Sequence, residues 1–209
     1  MSENATVFIV DDDAAARESV VALVSFKGLT AKGFASAEEF LAQYDPAVPG
    51  CLVLDVRMPG MSGLHLQQVL RERGSTLPVV VITGYADVPM AVRAMQNGAV
   101  TFLEKPCQEQ ELWHGIERAL NLEEAQQILR KQKTELEGRM ATLTEDEVAV
   151  LSKLLEGLPN KRIAADLDIG LRTVELRRSN IMRKMEANSL PELVRMAILV
   201  GFLKADVPI

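Results

Sequence analysis

CLVLDVRMPGMSG, residues 51–63, is the stretch whose reading decides the fold. Leu52-Val53-Leu54 is a short apolar run that stops on a carboxylate, Asp55. A turn-forming segment with Pro59, Gly60, Ser62 and Gly63 follows. A brief apolar run bounded by turn residues reads as a buried strand. Asp55 then stands at the carboxyl end of that strand, the edge where open α/β sheets collect ligands and reacting groups.

The same grammar repeats outward from Asp55. Residues 6–10 are apolar and β-branched and run into Asp11, Asp12 and Asp13. Residues 14–26 have helical spacing, with Val20, Val21, Leu23 and Val24 inward and Gly28 as the stop. Residues 30–34 read as a second strand. Ser36 with Glu39 three residues on forms a capping box for the next helix. Beyond Asp55, residues 64–73 are helical and 77–83 form a buried strand ending on the hydroxyl of Thr83. Residues 88–97 are helical and 100–104 a strand, met at once by Lys105-Pro106; a helix opens at Glu109. Five strands alternating with five helices predict a doubly wound parallel α/β sheet. Its strand ends share one edge, so Asp11, Asp12, Asp55, Thr83 and Lys105 should converge on one cleft. Three carboxylates together repel unless a divalent cation sits among them, and hard oxygen donors select Mg²⁺. A carboxylate beside Mg²⁺ is a plausible nucleophile toward a phosphoryl group, with a lysine and a hydroxyl to bind the transferred oxygens.

The chain has 209 residues, enough for one large domain or two ordinary ones, and a net charge of −6. The acidic excess lies before Asn121, whereas residues 161–184 are locally basic, a contrast that hints at an acidic domain joined to an anion-meeting module. No apolar run is long enough to span a bilayer, and MSENATVFIVDDD does not read as a signal peptide, so a cytoplasmic protein with no membrane partner is expected. Cys51 and Cys107 lack CxxC spacing and are expected to be reduced, buried thiols. His65 and His114 have no spacing partner and are expected to bind no metal.

Residues 121–141 are rich in Leu, Glu, Gln, Lys and Arg and should continue the preceding helix. Leu122, Leu129, Leu136 and Leu143 recur every seventh residue, but Ala125, Gln132 and Arg139 between them are mostly polar and Gly138 interrupts. A solvated spacer and a dimerising seam both remain open. Further on, Thr144 and Glu147 form a capping box, with Val148, Leu151, Leu154 and Leu155 as the core face. Asn160 is expected to cap a short helix carrying Ile163, Ala164 and Leu167. Residues 168–170 make a turn and 171–185 a third helix. Ser189 and Glu192 cap a fourth, with Pro191 in its first turn. Four short helices with tight turns predict an all-α domain containing a helix-turn-helix. On the third helix Val174, Ile181 and Met185 fall at core spacing. Arg172, Glu175, Leu176, Ser179 and Arg183 form another face, suited either to a DNA major groove or to plain solvation.

VDDD at 10–13, LDVRMPGMSG at 54–63, ITGYAD at 82–87 and FLEKP at 102–106 together resemble the receiver domains of two-component response regulators. The resemblance implies that Asp55 accepts a phosphoryl group. It implies that Asp12, Asp55 and the Arg57 backbone carbonyl hold Mg²⁺ (or Mn²⁺), with Asp11 acting through a metal-bound water. Thr83 and Lys105 would bind phosphoryl oxygens, and Phe102 matches the aromatic switch position. GLPNKRIAADLDI at 157–169 and RTVELRRSNIMRKMEANSLPELVRM at 172–196 resemble the LuxR/FixJ (NarL-type) helix-turn-helix. There Glu175, Leu176 and Ser179 would approach base edges, while Lys161, Arg172, Thr173, Arg177 and Arg178 would meet phosphates.

The reading divides the chain into a receiver at 1–120, a helical linker at 121–142 and a helix-turn-helix domain at 143–209. It implies a regulator phosphorylated by a sensor histidine kinase, binding a double-stranded DNA operator, working with RNA polymerase and pairing as a homodimer on phosphorylation. It is not an enzyme beyond slow self-dephosphorylation. An Asp-nucleophile phosphatase would need a carboxylate where Arg57 stands. The remaining alternative is a receiver that controls a protein-interaction module without DNA binding.

Overall fold

Alternation along the strands decides which helix covers which face. The computed structural model describes residues 5–85 and 87–203. Strands β1 (Thr6–Val10), β2 (Thr30–Phe34), β3 (Gly50–Asp55), β4 (Val79–Thr83) and β5 (Ala99–Glu104) form one parallel sheet in the order β2-β1-β3-β4-β5. Side chains of successive strand residues point to opposite faces. Phe8, Val10, Leu52, Leu54, Val79 and Val81 therefore share one core, with residues from α2 (Ala37–Gln43), α3 (Gly63–Glu72) and α4 (Val88–Gln96). Val7, Ile9, Cys51, Val53, Val80 and Ile82 share the other, with α1 (Ala14–Phe26) and α5 (Glu109–Met140). Because both faces are covered, the central strands are apolar throughout rather than alternating. Phe8, Phe34, Phe40 and Tyr44 cluster around the β2 side, three of their contacts edge-on at 5.4–5.8 Å. Each such pair adds about 0.5–1.5 kcal/mol beyond its buried area.

The predicted elements are present, with shifts at their ends that have local causes. β4 begins at Val79 rather than residue 77, because Pro78 carries no N–H for a ladder and uses its carbonyl to accept from Leu52 N at 2.9 Å. At α2, Ser36 accepts from Glu39 N, but the Glu39 carboxylate accepts from Ala35 N instead of closing the box on Ser36. Glu192 does the same one residue ahead of Ser189, accepting from Asn188 N. Only part of Cys107 is covered, so just Cys51 is the buried thiol expected; both are free.

Helix α5 runs for 32 residues through Gly138, continuing into 121–141 as the composition predicted; the glycine breaks the heptad pattern, not the helix. Two compact units divide the chain, Met1–Ile128 and Leu129–Ile209. The second has its own core, to which α6 (Glu145–Leu155), α7 (Asn160–Asp166), α8 (Leu171–Met185) and α9 (Leu190–Leu199) contribute. Thr144 and Glu147 close a full capping box at α6, whose buried face is Val150, Leu151 and Leu154; Val148 and Leu155, expected there, are half-buried. Asn160 is not the cap of α7. Pro159 occupies that position, and the Asn160 amide oxygen accepts from Arg178 Nη1 at 3.1 Å. The heptad leucines do not form a single seam. Leu136 and Leu143 enter the second core, while Leu122 and Leu129 remain substantially exposed.

Candidate functional site

Asp55 is the last residue of β3 and is buried, as is Asp11 directly after β1. Lys105, just beyond β5, joins them. Its ammonium donates to Asp11 Oδ2 at 2.6 Å and to Asp55 Oδ1 at 2.9 Å. The other oxygens are taken by backbone N–H groups, Asp55 Oδ2 by Arg57 at 2.7 Å and Asp11 Oδ1 by Asp13 at 3.0 Å. The Lys105 amide donates to the Thr83 carbonyl at 2.8 Å, which ties the ends of β4 and β5 together, and the Lys105-Pro106 bond is cis. Gly63 is required here for close approach. A Cβ on it would lie 2.0 Å from the Asp55 carbonyl oxygen, while its own N–H donates to Val56 O at 3.0 Å.

Burial pushes the Asp55 carboxyl above the ordinary carboxylate range, and the Asp11 charge adds to this, while Lys105 and the Arg57 amide pull the other way. Burial alone would lower Lys105; its hydrogen bonds to Asp11 and Asp55 outweigh this and hold it above the usual lysine value. Lys105 therefore stays charged at neutral pH.

The expected cluster assembles only in part. Asp11, Asp55 and Lys105 meet, but Asp12 is exposed, and Asp13 caps α1 by accepting from Ala15 and Ala16 N. Among the described residues no group of three His, Cys, Asp or Glu side chains gathers to hold a metal ion. Thr83 is fully buried, and its hydroxyl exchanges hydrogen bonds with the backbone of Tyr85 at 3.3 and 3.4 Å. Phe102 is half-buried and packs against the core that holds Val81.

In the second unit, α8 presents the two faces read from its spacing. Val174, Ile181 and Met185 are buried, while Arg172, Glu175, Leu176, Ser179 and Arg183 are exposed, Leu176 to 62%. Lys161 is exposed and Thr173 half-buried. Two of the candidate phosphate contacts have partners within the fold, Arg177 with Asp146 and Arg178 with Asn160.

Residues 7–117 match the response regulator receiver domain, and residues 141–197 match the bacterial regulatory proteins of the luxR family. The transcriptional regulatory protein FixJ of Azorhizobium caulinodans is 46% identical over 206 residues, covering 99% of this chain and 98% of that protein. The response regulator protein TodT of Pseudomonas putida is 44% identical over 196 residues, with 93% and 86% covered. The chain belongs to the response-regulator family. Among solved structures, response regulator StyR matches this regulator with a TM-score of 0.81 and 43% identity, over 93% of this chain and 98% of that one. Full-length FixJ from B. japonicum gives 0.56 and 40%, over 96% and 98%. The regulator thus couples a receiver to a LuxR-type DNA-binding domain and controls transcription through phosphorylation, with a kinase and DNA as its partners. It is a regulatory protein of a non-enzyme family, and no helix among its described residues is long and apolar enough to cross a membrane.

Three side chains around this regulator's receiver site escaped the sequence reading. The Arg57 guanidinium lies over the Tyr85 ring at 4.1 Å. Glu38 of α2 accepts from Met61 N at 2.9 Å and so braces the loop after Asp55. Arg17 of α1 donates to the Asp11 carbonyl at 2.6 Å. All three contacts join separate segments and leave no periodic trace. ITGY at 82–85 placed an aromatic beside Thr83, but nothing in it pointed to Arg57.

Proposed function

We propose that Asp55 is the phosphoacceptor, and the bridge from Lys105 to both Asp11 and Asp55 carries this reading. One Asp55 oxygen attacks phosphorus in line; the bond from phosphorus to the donor nitrogen of the kinase histidine breaks, and that imidazole leaves with the bonding pair. The product is an aspartyl phosphate. Lys105 shifts from Asp55 to a phosphoryl oxygen, and the Thr83 hydroxyl exchanges Tyr85 for another. That exchange releases the loop after β4 and lets Phe102 and α4 repack.

The donors at this edge fit Mg²⁺. They are hard oxygens, and two buried carboxylates outnumber the one ammonium between them. Asp12, Asp55 and the Arg57 carbonyl would hold it, with Asp11 one water away. When bound, Mg²⁺ supplies positive charge to the phosphoryl oxygens. Asp12 is the residue that has to turn inward.

Downstream, Glu175, Leu176 and Ser179 read base edges while Lys161, Arg172, Thr173, Arg177 and Arg178 meet phosphates. Arg177 and Arg178 must first leave Asp146 and Asn160. Receiver pairing then joins two half-sites on operator DNA, in the cytoplasm and beside RNA polymerase. We assign the receiver to 1–120, the linker to 121–142 and the DNA-binding domain to 143–209, and we take self-dephosphorylation to be slow. Operator binding by gel shift, with and without acetyl phosphate and Mg²⁺, tests the switch. Phosphodonor should tighten binding by the native chain and leave Asp55→Asn unchanged. Equal affinity in both states of the native chain would overturn it.

A further inference from the structure

We propose that Arg139, in the last turn of α5, is a positioning residue for operator recognition: it holds Glu186 in the left-handed turn that closes α8 and so sets the place of that helix. This rests on α8 being the helix that meets operator DNA. The helices α1, α3, α4, α6 and α9 are each followed by a glycine at positive φ. α8 ends instead on Glu186, at φ 55° and ψ 34°. Among the described residues the other non-glycine residue at positive φ is Asp168. Aspartate is several-fold enriched in that region, and glutamate is not. The hydrogen bonds around Glu186 are those of a Schellman turn. Its N–H donates to the Arg183 carbonyl at 3.2 Å, and the Ala187 N–H to the Met182 carbonyl at 2.9 Å. A strained residue persists where its surroundings hold it there.

Arg139 supplies the hold. Its Nη1 donates to the Met185 carbonyl at 3.1 Å, and its Nη2 pairs with Glu186 Oε2 at 2.8 Å. The same nitrogen also meets Glu135 Oε1 at 2.8 Å, one turn back along α5. A planar guanidinium fork can serve a carbonyl and a carboxylate together, which a single ammonium does poorly. The Met185 carbonyl is a last-turn acceptor that the helix itself leaves unpaired, and a cation suits that end of the helix dipole. The neighbouring turn is tied as well. Lys184 Nζ donates to the Thr142 carbonyl at 2.9 Å, while Leu136, Met140 and Leu143 share a core with Met182 and Met185. All these residues lie in the second compact unit. A shift at the end of α8 would carry Glu175, Leu176 and Ser179 with it. Contacts to base edges depend on such placement, whereas phosphate contacts carry no sequence information. Loss of the anchor should therefore appear as lost discrimination.

The test uses the full-length chain with acetyl phosphate and Mg²⁺. Two duplexes of equal length are compared, one selected by the native chain from a random-sequence pool and one scrambled. Arg139→Met keeps the stem and removes the fork. It should weaken the selected duplex at least about fivefold, the worth of one good base contact. The scrambled duplex should stay within about twofold, with the salt slope unchanged. Glu186→Gly should bind as the native chain does, and in that background Arg139→Met should cost less than about twofold, because glycine closes α8 unaided. An equal loss from Arg139→Met with and without Glu186→Gly, or no loss in either, would overturn the role of Arg139. So would equal weakening of both duplexes with the salt slope reduced by about 1, the mark of a direct phosphate contact. Should Arg139→Met alone fail to fold, the Glu186→Gly background decides: a folded chain with native discrimination supports the anchor, and a second failure to fold overturns it. Leu176→Ala tests the reading beneath. If that variant binds both duplexes as the native chain does, α8 is not the helix that reads the operator, whatever Arg139 does to its end.

Discussion

At the residue scale the receiver site is a balance between two buried carboxylates and one ammonium. Asp11 and Asp55 have side chains only 1% and 7% exposed, and Lys105 is the cation between them. Removing one member of such a group leaves uncompensated charge, which destabilises more than the intact group stabilises. Lys105→Met keeps the stem and deletes the ammonium. It should lower unfolding free energy by about 2–4 kcal/mol, read by urea denaturation in chelator. Added Mg²⁺ should then raise the thermal midpoint more in the variant than in the native chain, since the carboxylates have lost their internal counterion. A smaller Mg²⁺ response in the variant would mean that Lys105 does not neutralise this pair. The residues named for this edge were legible because chemistry stops an apolar run abruptly, as Asp55 does after Leu54. Asp12 was legible only as a type. Its exposure follows from the turn into α1, where Asp13 spends its carboxylate on the helix N–H groups.

At the scale of elements, the N-cap serines and threonine and the two faces of α8 were legible because both signals are local. Thr144 and Glu147 formed the predicted box, and α8 matched at both ends and on both faces. What stayed hidden was the second use of each group. Besides closing the box, the Glu147 carboxylate accepts from Lys184 Nζ at 2.6 Å, which pins α6 to α8. The Lys184 hydrogen bond, followed by the Thr144 amide, holds the Glu147 carboxyl below the ordinary range although burial opposes it. A lowered carboxyl contributes stability that is complete above its unfolded pKa of about 4.3. That contribution is lost as pH falls through the lower folded value. Glu147→Gln should therefore cost about 1–2 kcal/mol at neutral pH and flatten the acid limb of the stability curve below about pH 4. An acid limb as steep as in the native chain would move the effect to other carboxylates. Asn160 was misread for the same reason, since its amide holds Arg178 across the helix pair. The exposed face of α8 makes a separate prediction. Leu176→Ala should leave stability within about 0.5 kcal/mol and weaken one operator by about 1 kcal/mol without altering the salt dependence. Arg172→Ala should weaken all sequences alike and reduce the salt slope by about 1. Titrations at several salt concentrations separate the two.

At the scale of the whole molecule, the cores are self-contained. Among the described residues, those on the two faces of the sheet draw on residues up to Leu120, and the helical core draws on Leu136 onward, with no residue in common. The stretch of α5 between them exposes Ile128 and Leu129 and belongs to none of these cores. That is why the seven-residue leucine repeat does not act as one face. Its members serve different bodies, Leu122 a surface hollow of the first and Leu136 the core of the second. Cores that share no side chains need not unfold together, and a ligand stabilises only the body it binds. Heating the full chain should give two calorimetric transitions. Mg²⁺ with beryllofluoride, a mimic of the phosphoryl group, should raise only the one assigned to the receiver. A saturating operator duplex should raise only the other, and a hundredfold excess over its dissociation constant would correspond to about 2.7 kcal/mol. The Lys105→Met and Glu147→Gln chains assign the peaks, because each should lower a different one. A single transition shifted by both ligands would show instead that α5 couples the two bodies through folding itself. The phosphorylation signal would then travel as shared stability rather than by a newly exposed surface.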